Sequence, residues 1–247
     1  MSAGLEVYNT NGFLQITDSF RNLQYLGKET ISVGSANSPF ICSAYSSVVP
    51  FTDTKMLAFR CTNGKRVQRV TISKNTTNNT DWVDVYAEAG AIVTVYKYGF
   101  PVTKTGAYFE VYNSAGSLVF SDNAKYMKVL GMYSGTTTIA TDYTPIISDW
   151  NVAGNSQTIK TPRILKNVAV GSAITTAVIP SQSTYYWDRF PATVGQDTRE
   201  YQQYWTFAST TVDTGIIYSN FNEYQGLGSG LIFKDRYDFL VIDVTGL

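Results

Sequence analysis

The sequence has no histidine among its 247 residues and only two cysteines, Cys42 and Cys61. Without histidine, the chain cannot form a Ser-His-Asp or Cys-His catalytic relay, a His-ligated zinc site or an imidazole switch near neutral pH. Two cysteines are too few for a disulfide framework, and their spacing does not fit a Cys-x-x-Cys redox pair. We therefore expect two idle or buried thiols and no cofactor.

The chain also lacks an excess of charge, because 19 Lys and Arg balance 19 Asp and Glu. Binding to nucleic acid needs a basic excess that releases counterions, so we expect no nucleic-acid partner. No run of about 18 apolar residues is present, so we expect no membrane span. The first residues lack the basic and apolar regions of a secretory signal, which indicates synthesis in the cytoplasm.

Helical patterns are scarce, whereas strand patterns recur along the chain. The predicted strands are rich in β-branched and aromatic residues, and Gly, Asn, Asp and Ser separate them. They cover Val67–Ile72, Trp82–Ala87, Ile92–Tyr98, Phe109–Tyr112, Leu118–Phe120, Ile164–Val170 and Leu231–Val244. Partial two-residue alternation in several of them is typical of a sheet with one buried face. The fold class is predicted to be all-β and sandwich-like.

A repeat appears when the sequence is aligned with itself at an offset of 104 residues. Residues 4–27 then match residues 108–131 without a gap, with nine identities over 24 positions. Composition alone gives about one or two such identities. Each copy is predicted to be a β-hairpin, in which Asn9 or Asn113 bonds to the turn backbone and Gly12 or Gly116 supplies a positive φ. Asp18 and Asp122 are placed to cap the turn that follows.

The period of about 100 residues is the size of one small β domain. We therefore predict two tandem β-sandwich-like domains, 1–103 and 104–247, with a boundary near the polar link Pro101–Gly106. The second is longer, and its surplus lies in about 141–225. That stretch is polar and irregular, and it is predicted to form long loops or an elaboration that projects from the sandwich.

The two copies resemble a family of tailed-bacteriophage structural proteins, in which a Gly-Leu-x-Val-Tyr-Asn-x-x-Gly-x-Leu hairpin starts each β unit. The motif is Gly4-Leu5-Glu6-Val7-Tyr8-Asn9 with Gly12 and Leu14, and the second copy begins Tyr108-Phe109 instead of Gly-Leu. The resemblance covers about a fifth of the chain. It implies a virion protein of the tail, tail tip or fibre attachment, with other tail or fibre proteins as partners. It implies no catalytic residues.

Two aromatic groups in the C-terminal part are candidates for contact with a partner protein or a glycan. They consist of Tyr185, Tyr186, Trp187, Tyr201, Tyr204 and Trp205. Aromatic rings bury a large area at low entropic cost, so such groups stack well on sugar rings. The other interpretation is that these rings belong to the core or to a subunit interface.

Carboxylates occur in two clusters, Asp81 with Asp84 and Asp235 with Asp238 and Asp243. A pair of converging carboxylates would allow glycoside hydrolysis, whereas aspartates at strand ends usually make local hydrogen bonds. No Asp-x-Asp-x-Asp-Gly calcium loop is present. The Gly226–Gly230 segment lacks the context of a phosphate-binding loop and is interpreted as a turn.

The sequence therefore predicts a non-enzymatic structural protein that acts through contact area. Few charges and many aromatic residues suit permanent interfaces, so a homo-oligomer is expected. The alternatives are a receptor-binding or carbohydrate-binding module on the virion, a head or neck decoration protein, and a polysaccharide depolymerase that uses paired carboxylates.

Overall fold

The structure is a computed structural model of the whole chain. It describes the backbone of residues 6–8, 14–17, 22–34, 42–45, 54–75, 80–100, 107–138, 141, 163–183, 185–191, 196–224 and 231–247. The predicted turns at Asn9 to Gly12 and at Gly226–Gly230, the residue Asp18 and the link Pro101–Gly106 lie outside these residues. No α-helix occurs in the described part of the chain.

The described backbone consists of strands joined by turns. The strands are β1 (Glu6–Tyr8), β2 (Leu14–Thr17), β3 (Gln24–Ser32), β4 (Cys42–Tyr45), β5 (Thr54–Cys61), β6 (Val67–Asn75), β7 (Thr80–Ala87), β8 (Ile92–Gly99), β9 (Glu110–Tyr112), β10 (Leu118–Ser121), β11 (Lys128–Thr136), β12 (Arg163–Ala169), β13 (Thr176–Gln182), β14 (Tyr185–Pro191), β15 (Gln196–Phe207), β16 (Thr211–Tyr224), β17 (Leu231–Lys234) and β18 (Arg236–Asp243). Within the described ranges, no helix is long and apolar enough to cross a membrane.

Two large sheets form a sandwich, which confirms the predicted all-β, sandwich-like fold. The six-stranded sheet has the order β11-β18-β13-β5-β8-β3. The eight-stranded sheet has the main order β12-β16-β15-β6-β7-β4, and β14 and β17 extend it beside β15. Two further pairs, β1–β2 and β9–β10, are separate two-stranded hairpins.

The two halves of the chain, 1–103 and 104–247, contribute strands in the same nested order. Six strands of each half belong to the main order of the sandwich: β3 to β8 in the first half, and β11, β12, β13, β15, β16 and β18 in the second. In each set the first strand pairs with the sixth, and the sixth pairs with the third: β3-β8-β5 and β11-β18-β13. The second lies beside the fifth, and the fifth beside the fourth: β4-β7-β6 and β12-β16-β15. This nesting is the Greek-key connectivity of a jelly roll reduced to six strands.

The strands of the repeated segment keep the same register in both halves. In the first hairpin Glu6 pairs with Thr17, and in the second Glu110 pairs with Ser121, 104 residues further on. Both hairpins have an irregularity at the same position, between Val7 and Tyr8 in β1 and opposite Val111 and Tyr112 in β9. The strands that follow, β3 and β11, also span residues offset by 104, and their registers shift at Leu26 and Leu130.

The two halves meet by pairing equivalent strands with each other. The third strands, β5 and β13, are antiparallel partners through Phe59 and Val178, and the fourth strands, β6 and β15, through Val67 and Trp205. Antiparallel pairing of equivalent strands is the arrangement of a two-fold interface, here within one chain. Both sheets therefore run across the division at residue 103.

The main core lies between the two sheets and also crosses this division. It contains Phe59, Val93 and Val95 from the N-terminal half, and Trp205 and Phe239 from the C-terminal half, all at most 1% exposed. Phe59 makes edge-to-face contacts with Trp205, at 5.6 Å between ring centroids, and with Phe207, at 6.1 Å. The centre of this core therefore depends on residues from both halves.

A second, smaller core lies on the opposite face of the six-stranded sheet. Ala58, Tyr98, Ala177 and Ile242 alternate along their strands with residues of the main core and are fully buried. The outer strands of this sheet meet at their starts, where Gln24 pairs with Tyr126. Main-chain hydrogen bonds from Tyr25 to Lys125 (2.7 Å) and from Met127 to Leu23 (2.9 Å) accompany that pair. The sheet therefore curls around its own small core.

The prediction that residues 141–225 form long loops or a projecting elaboration is corrected by the structure. This stretch contains the five strands β12 to β16. Four of them belong to the main order of the two sheets, and β14 extends the eight-stranded sheet beside β15. The single strand predicted at Leu231–Val244 is two strands in different sheets, since β17 pairs with β14 whereas β18 pairs with β11 and β13. Asp235 lies at the break between them.

The turn of the second hairpin follows the sequence prediction. The Asn113 Oδ1 accepts hydrogen bonds from the main-chain N–H groups of Ala115 (3.1 Å) and Ser117 (2.8 Å), and Gly116 has a φ of 74°. Asp122 does not cap the following turn as expected; its Oδ1 accepts from the N–H of Tyr108 and so fixes the start of the hairpin (3.1 Å). Cys61 is a buried free thiol that contacts Asn63, and the side chain of Cys42 lies outside the described residues.

Candidate interaction surface

The six aromatic candidates lie on two adjacent strands. Tyr185, Tyr186 and Trp187 are on β14, and Tyr201, Tyr204 and Trp205 are on β15. The register places Tyr186 opposite Tyr201, and Trp187 opposite Glu200. For the three residues of β14 and for Tyr201, the structure describes the backbone alone, so strand register is what relates them to one another.

The extension of the eight-stranded sheet brings aromatic residues into one row of register partners. Phe233 on β17 pairs with Tyr186 on β14, Tyr186 pairs with Tyr201 on β15, and Tyr201 pairs with Tyr218 on β16. Neighbouring residues in such a row are about 5 Å apart, which is the spacing of cross-strand side-chain contacts. Two of these four residues, Phe233 and Tyr218, were not among the sequence candidates.

Tyr204 and Trp205 belong to the core. Their exposed fractions are 3% and 0%, and the Trp205 ring packs against Phe59 in the main core. Burial raises the pKa of Tyr204, although the guanidinium of Arg66, 5.6 Å from the ring centroid, acts in the opposite direction. Neither ring is available to stack on a sugar in the folded chain.

A candidate contact surface lies instead on β11, an outer strand of the six-stranded sheet. Among the described strands, β11 pairs only with β18. Its apolar residues Val129, Leu130 and Met132 are 50%, 41% and 69% exposed. Ile164 on β12, the outer strand of the other sheet at the same end of the sandwich, is 60% exposed. Lys166 of β12 lies 6.0 Å from the ring centroid of Tyr133, so the two outer strands are neighbours.

We call Val129, Leu130, Met132 and Ile164 the β11 edge patch. Outer strands carry backbone N–H and C=O groups that no neighbour satisfies, and proteins usually protect them with charged residues, Lys above all. The β11 strand has one charged residue, Lys128 at its start, and none from Val129 to Thr136. An unprotected outer strand with apolar side chains can take up a strand from another chain.

The equivalent outer strand of the other half, β3, has the usual protection. At the offset of 104 residues, Lys28 of β3 corresponds to Met132 of β11. Lys28 is exposed, and its ammonium donates a hydrogen bond to the main-chain oxygen of Leu247 (2.6 Å). The two halves therefore share strand order and register but differ at this position of the outer strand, which is Lys28 in β3 and Met132 in β11.

The hairpin before β11 presents further aromatic residues. Tyr108 is 98% exposed, and Phe109 and Tyr112 are about half exposed. Phe120 stacks on Tyr126 with a centroid distance of 5.1 Å and an interplanar angle of 12°, and Tyr126 is two residues before β11. Its hydroxyl contacts both the N–H and the C=O of Ser121, which attaches the hairpin to the start of the outer strand.

Two aspartates of the second predicted cluster lie apart on one strand. Asp238 and Asp243 lie at different positions of β18, with Ser134 and Lys128 as register partners. Burial acts to raise the pKa of Asp243, but hydrogen bonds from Thr245 and the nearby Lys128 charge outweigh it and lower that pKa. Asp84 is buried on β7, and the Asp81 side chain lies outside the described residues. Within the described part of the chain, no group of three His, Cys, Asp or Glu residues could hold a metal ion.

A cavity of about 400 Å³ lies between the start of β11 and residues 243–247. Its lysines are already engaged by protein oxygens: Lys125 donates to the main-chain oxygen of Gly246 (2.6 Å), and Lys128 lies 4.0 Å from the Asp243 carboxylate. Both ammonium groups therefore already have a partner oxygen within the protein.

Sequence reasoning missed the β11 edge patch, although a signal was present. The repeat alignment ends at Gly27 and Gly131, one residue before the Lys28 and Met132 pair that distinguishes the two outer strands. Comparison of the chain with protein-family models, curated proteins and solved structures finds no match.

Proposed function

We propose that the protein is a non-enzymatic structural component of a tailed-bacteriophage virion, located at the tail, tail tip or fibre attachment, and that it acts through contacts with other proteins. The virion assignment is supported by the resemblance of the two hairpin motifs. The observation that supports action through contact is the β11 edge patch. A buried interface would satisfy the outward backbone groups of this strand and remove its apolar side chains from water.

The test is to locate the protein on intact particles of the phage that encodes it. Immunogold labelling or cryo-EM is expected to find the chain at the tail or the fibre attachment, at a fixed copy number per particle. Labelling that is blocked by purified protein provides the control for specificity. Labelling of the head or neck would support the decoration alternative, and particles without the chain would refute the proposal.

The aromatic row favours a second candidate function, in which the same virion protein binds a receptor or carbohydrate. Tyr186→Ala or Tyr201→Ala is then expected to lower binding to a host-surface glycan by about tenfold or more, since stacked aromatic rings contribute strongly to such contacts. Binding is measured on a glycan array. Tyr108→Ala removes an aromatic ring that is 98% exposed elsewhere and is the matched control. Equal loss in all three variants, or no binding by the unmodified protein, would argue against this function.

A further inference from the structure

We infer that the β11 edge patch binds a second copy of this chain, with the two β11 strands antiparallel to each other. This inference rests on the proposed function, in which the protein acts through protein contacts, and it names one partner. The resulting dimer would join two six-stranded sheets into one continuous sheet, as in other cases of strand addition. Both copies would use the same patch, which is the geometry of a two-fold interface.

The distribution of charged residues along β11 favours a second β11 strand as the partner. In an antiparallel pair of β11 strands centred on Met132, Met132 lies opposite its own copy and Lys128 lies opposite Thr136. No like charges meet, and the two Met132 side chains lie opposite each other at the centre, with each Leu130 opposite Ser134 of the other copy. The same pairing of two β3 strands, centred on Lys28, would place Lys28 opposite Lys28, which is unfavourable. The difference between Lys28 and Met132 therefore favours self-association through β11 and opposes it through β3.

The pairing of equivalent strands is already used inside the molecule. The third strands of the two halves, β5 and β13, and the fourth strands, β6 and β15, pair antiparallel with each other. The β11 pairing would repeat this relation between chains. The neighbouring strand β12 adds Ile164 to the same end of the sandwich, so side chains from both sheets would enter the contact.

A cysteine placed at the centre of the pairing gives a direct test. In an antiparallel pair, residues directly opposite have Cα atoms about 4.5–5.5 Å apart, which is within the range of a disulfide. Met132→Cys is therefore expected to form a covalent dimer under mild oxidation. Ser134→Cys lies on the same exposed strand, but its two copies would be separated by four residues, roughly 13 Å along the strand, and should not cross-link.

A charge at the same position tests the affinity. Met132→Lys gives β11 the residue that β3 has, so two lysines would face each other in the dimer. We expect the dimer dissociation constant, measured by sedimentation, to rise by about tenfold or more. Ser209→Lys adds the same charge on the exposed turn between β15 and β16 and should leave the constant unchanged. Circular dichroism shows whether each variant keeps the β fold.

The outcomes separate this inference from the proposed function. A monomeric unmodified protein, equal cross-linking at positions 132 and 134, or an oligomer that Met132→Lys leaves intact would each overturn the β11 pairing. If the protein is still found on the virion in those cases, the proposed function stands. Cross-linking at position 132 alone, in a protein that is absent from particles, would support the pairing and reject the virion function.

Discussion

Residues 1–103, produced without the rest of the chain, are expected not to form a stable fold. In the whole protein both sheets cross the division at residue 103, and Phe59 and Val67 are buried against residues of the C-terminal half. The separated half would expose these side chains, each of which contributes about 1.5–3 kcal/mol when buried. It would also leave β5 and β6 as outer strands, each with one unpaired edge. Circular dichroism and urea unfolding of the fragment measure this effect.

The matched control is the same fragment produced together with residues 104–247. The two fragments are expected to associate and to recover a cooperative unfolding transition, because the cut falls between β8, which ends at Gly99, and β9, which begins at Glu110. A fragment 1–103 that unfolds cooperatively on its own, with stability near that of the whole chain, would show that the halves are independent domains. The division into two tandem domains, predicted from the repeat, stays a prediction until this experiment is done.

Trp205→Ala is expected to lower the free energy of unfolding by about 3–5 kcal/mol, the range for removal of a large buried aromatic side chain. The ring is fully buried, contacts Phe59 edge to face, and lies where β15 pairs with β6. Its loss would leave a cavity at the junction of the two halves. Chemical unfolding monitored by circular dichroism avoids the change in fluorescence that the substitution itself causes.

Tyr108→Ala is the control, because this aromatic side chain is 98% exposed and its truncation should change stability by less than about 0.5 kcal/mol. A loss below about 1 kcal/mol for Trp205→Ala would contradict the placement of this ring in the core. The result also guides the glycan experiment. Loss of glycan binding in a Trp205 variant would report unfolding, so Tyr186 and Tyr201 are the informative positions.

Sequence patterns identified the hairpin turn and several strands because their signals are local. The turn at Asn113 and Gly116 needs a side-chain acceptor and a positive φ within five residues, and both are visible in the sequence. Strands β6, β7, β8 and β12 are rich in β-branched and aromatic residues. Local composition was therefore sufficient to predict the bounds of these strands to within a few residues.

Strands with buried polar residues were missed because their partners are distant in sequence or on a neighbouring strand. Gln203 of β15 is 1% exposed, and its amide donates to the Thr214 hydroxyl of β16, which in turn donates to the main-chain oxygen of Tyr204. Arg60 of the central strand β5 donates to the main-chain oxygen of Thr176, 116 residues later (3.0 Å). These hydrogen bonds offset the cost of burying the polar groups. The partners are not visible in the local sequence, so the polar composition of such segments resembles that of loops.

The β11 edge patch could not be found from the repeat alone, because its meaning depends on topology. Met132 is an ordinary apolar residue in a strand until the sheet order shows that β11 is an outer strand. The equivalence of Lys28 and Met132 then becomes informative, since both lie at the same register position of equivalent strands.

The pairs that join the two halves have a consequence for synthesis on the ribosome. Val67 and Phe59 have their partners at Trp205 and Val178, each more than 100 residues later. Chains emerge from the N-terminus at about 5–20 residues per second, so β5 and β6 wait for several seconds before these partners exist. During that time their apolar surfaces are open to other nascent chains. We therefore expect productive folding to be slow and mostly post-translational, and recovery of soluble protein to improve at low temperature or with added chaperones.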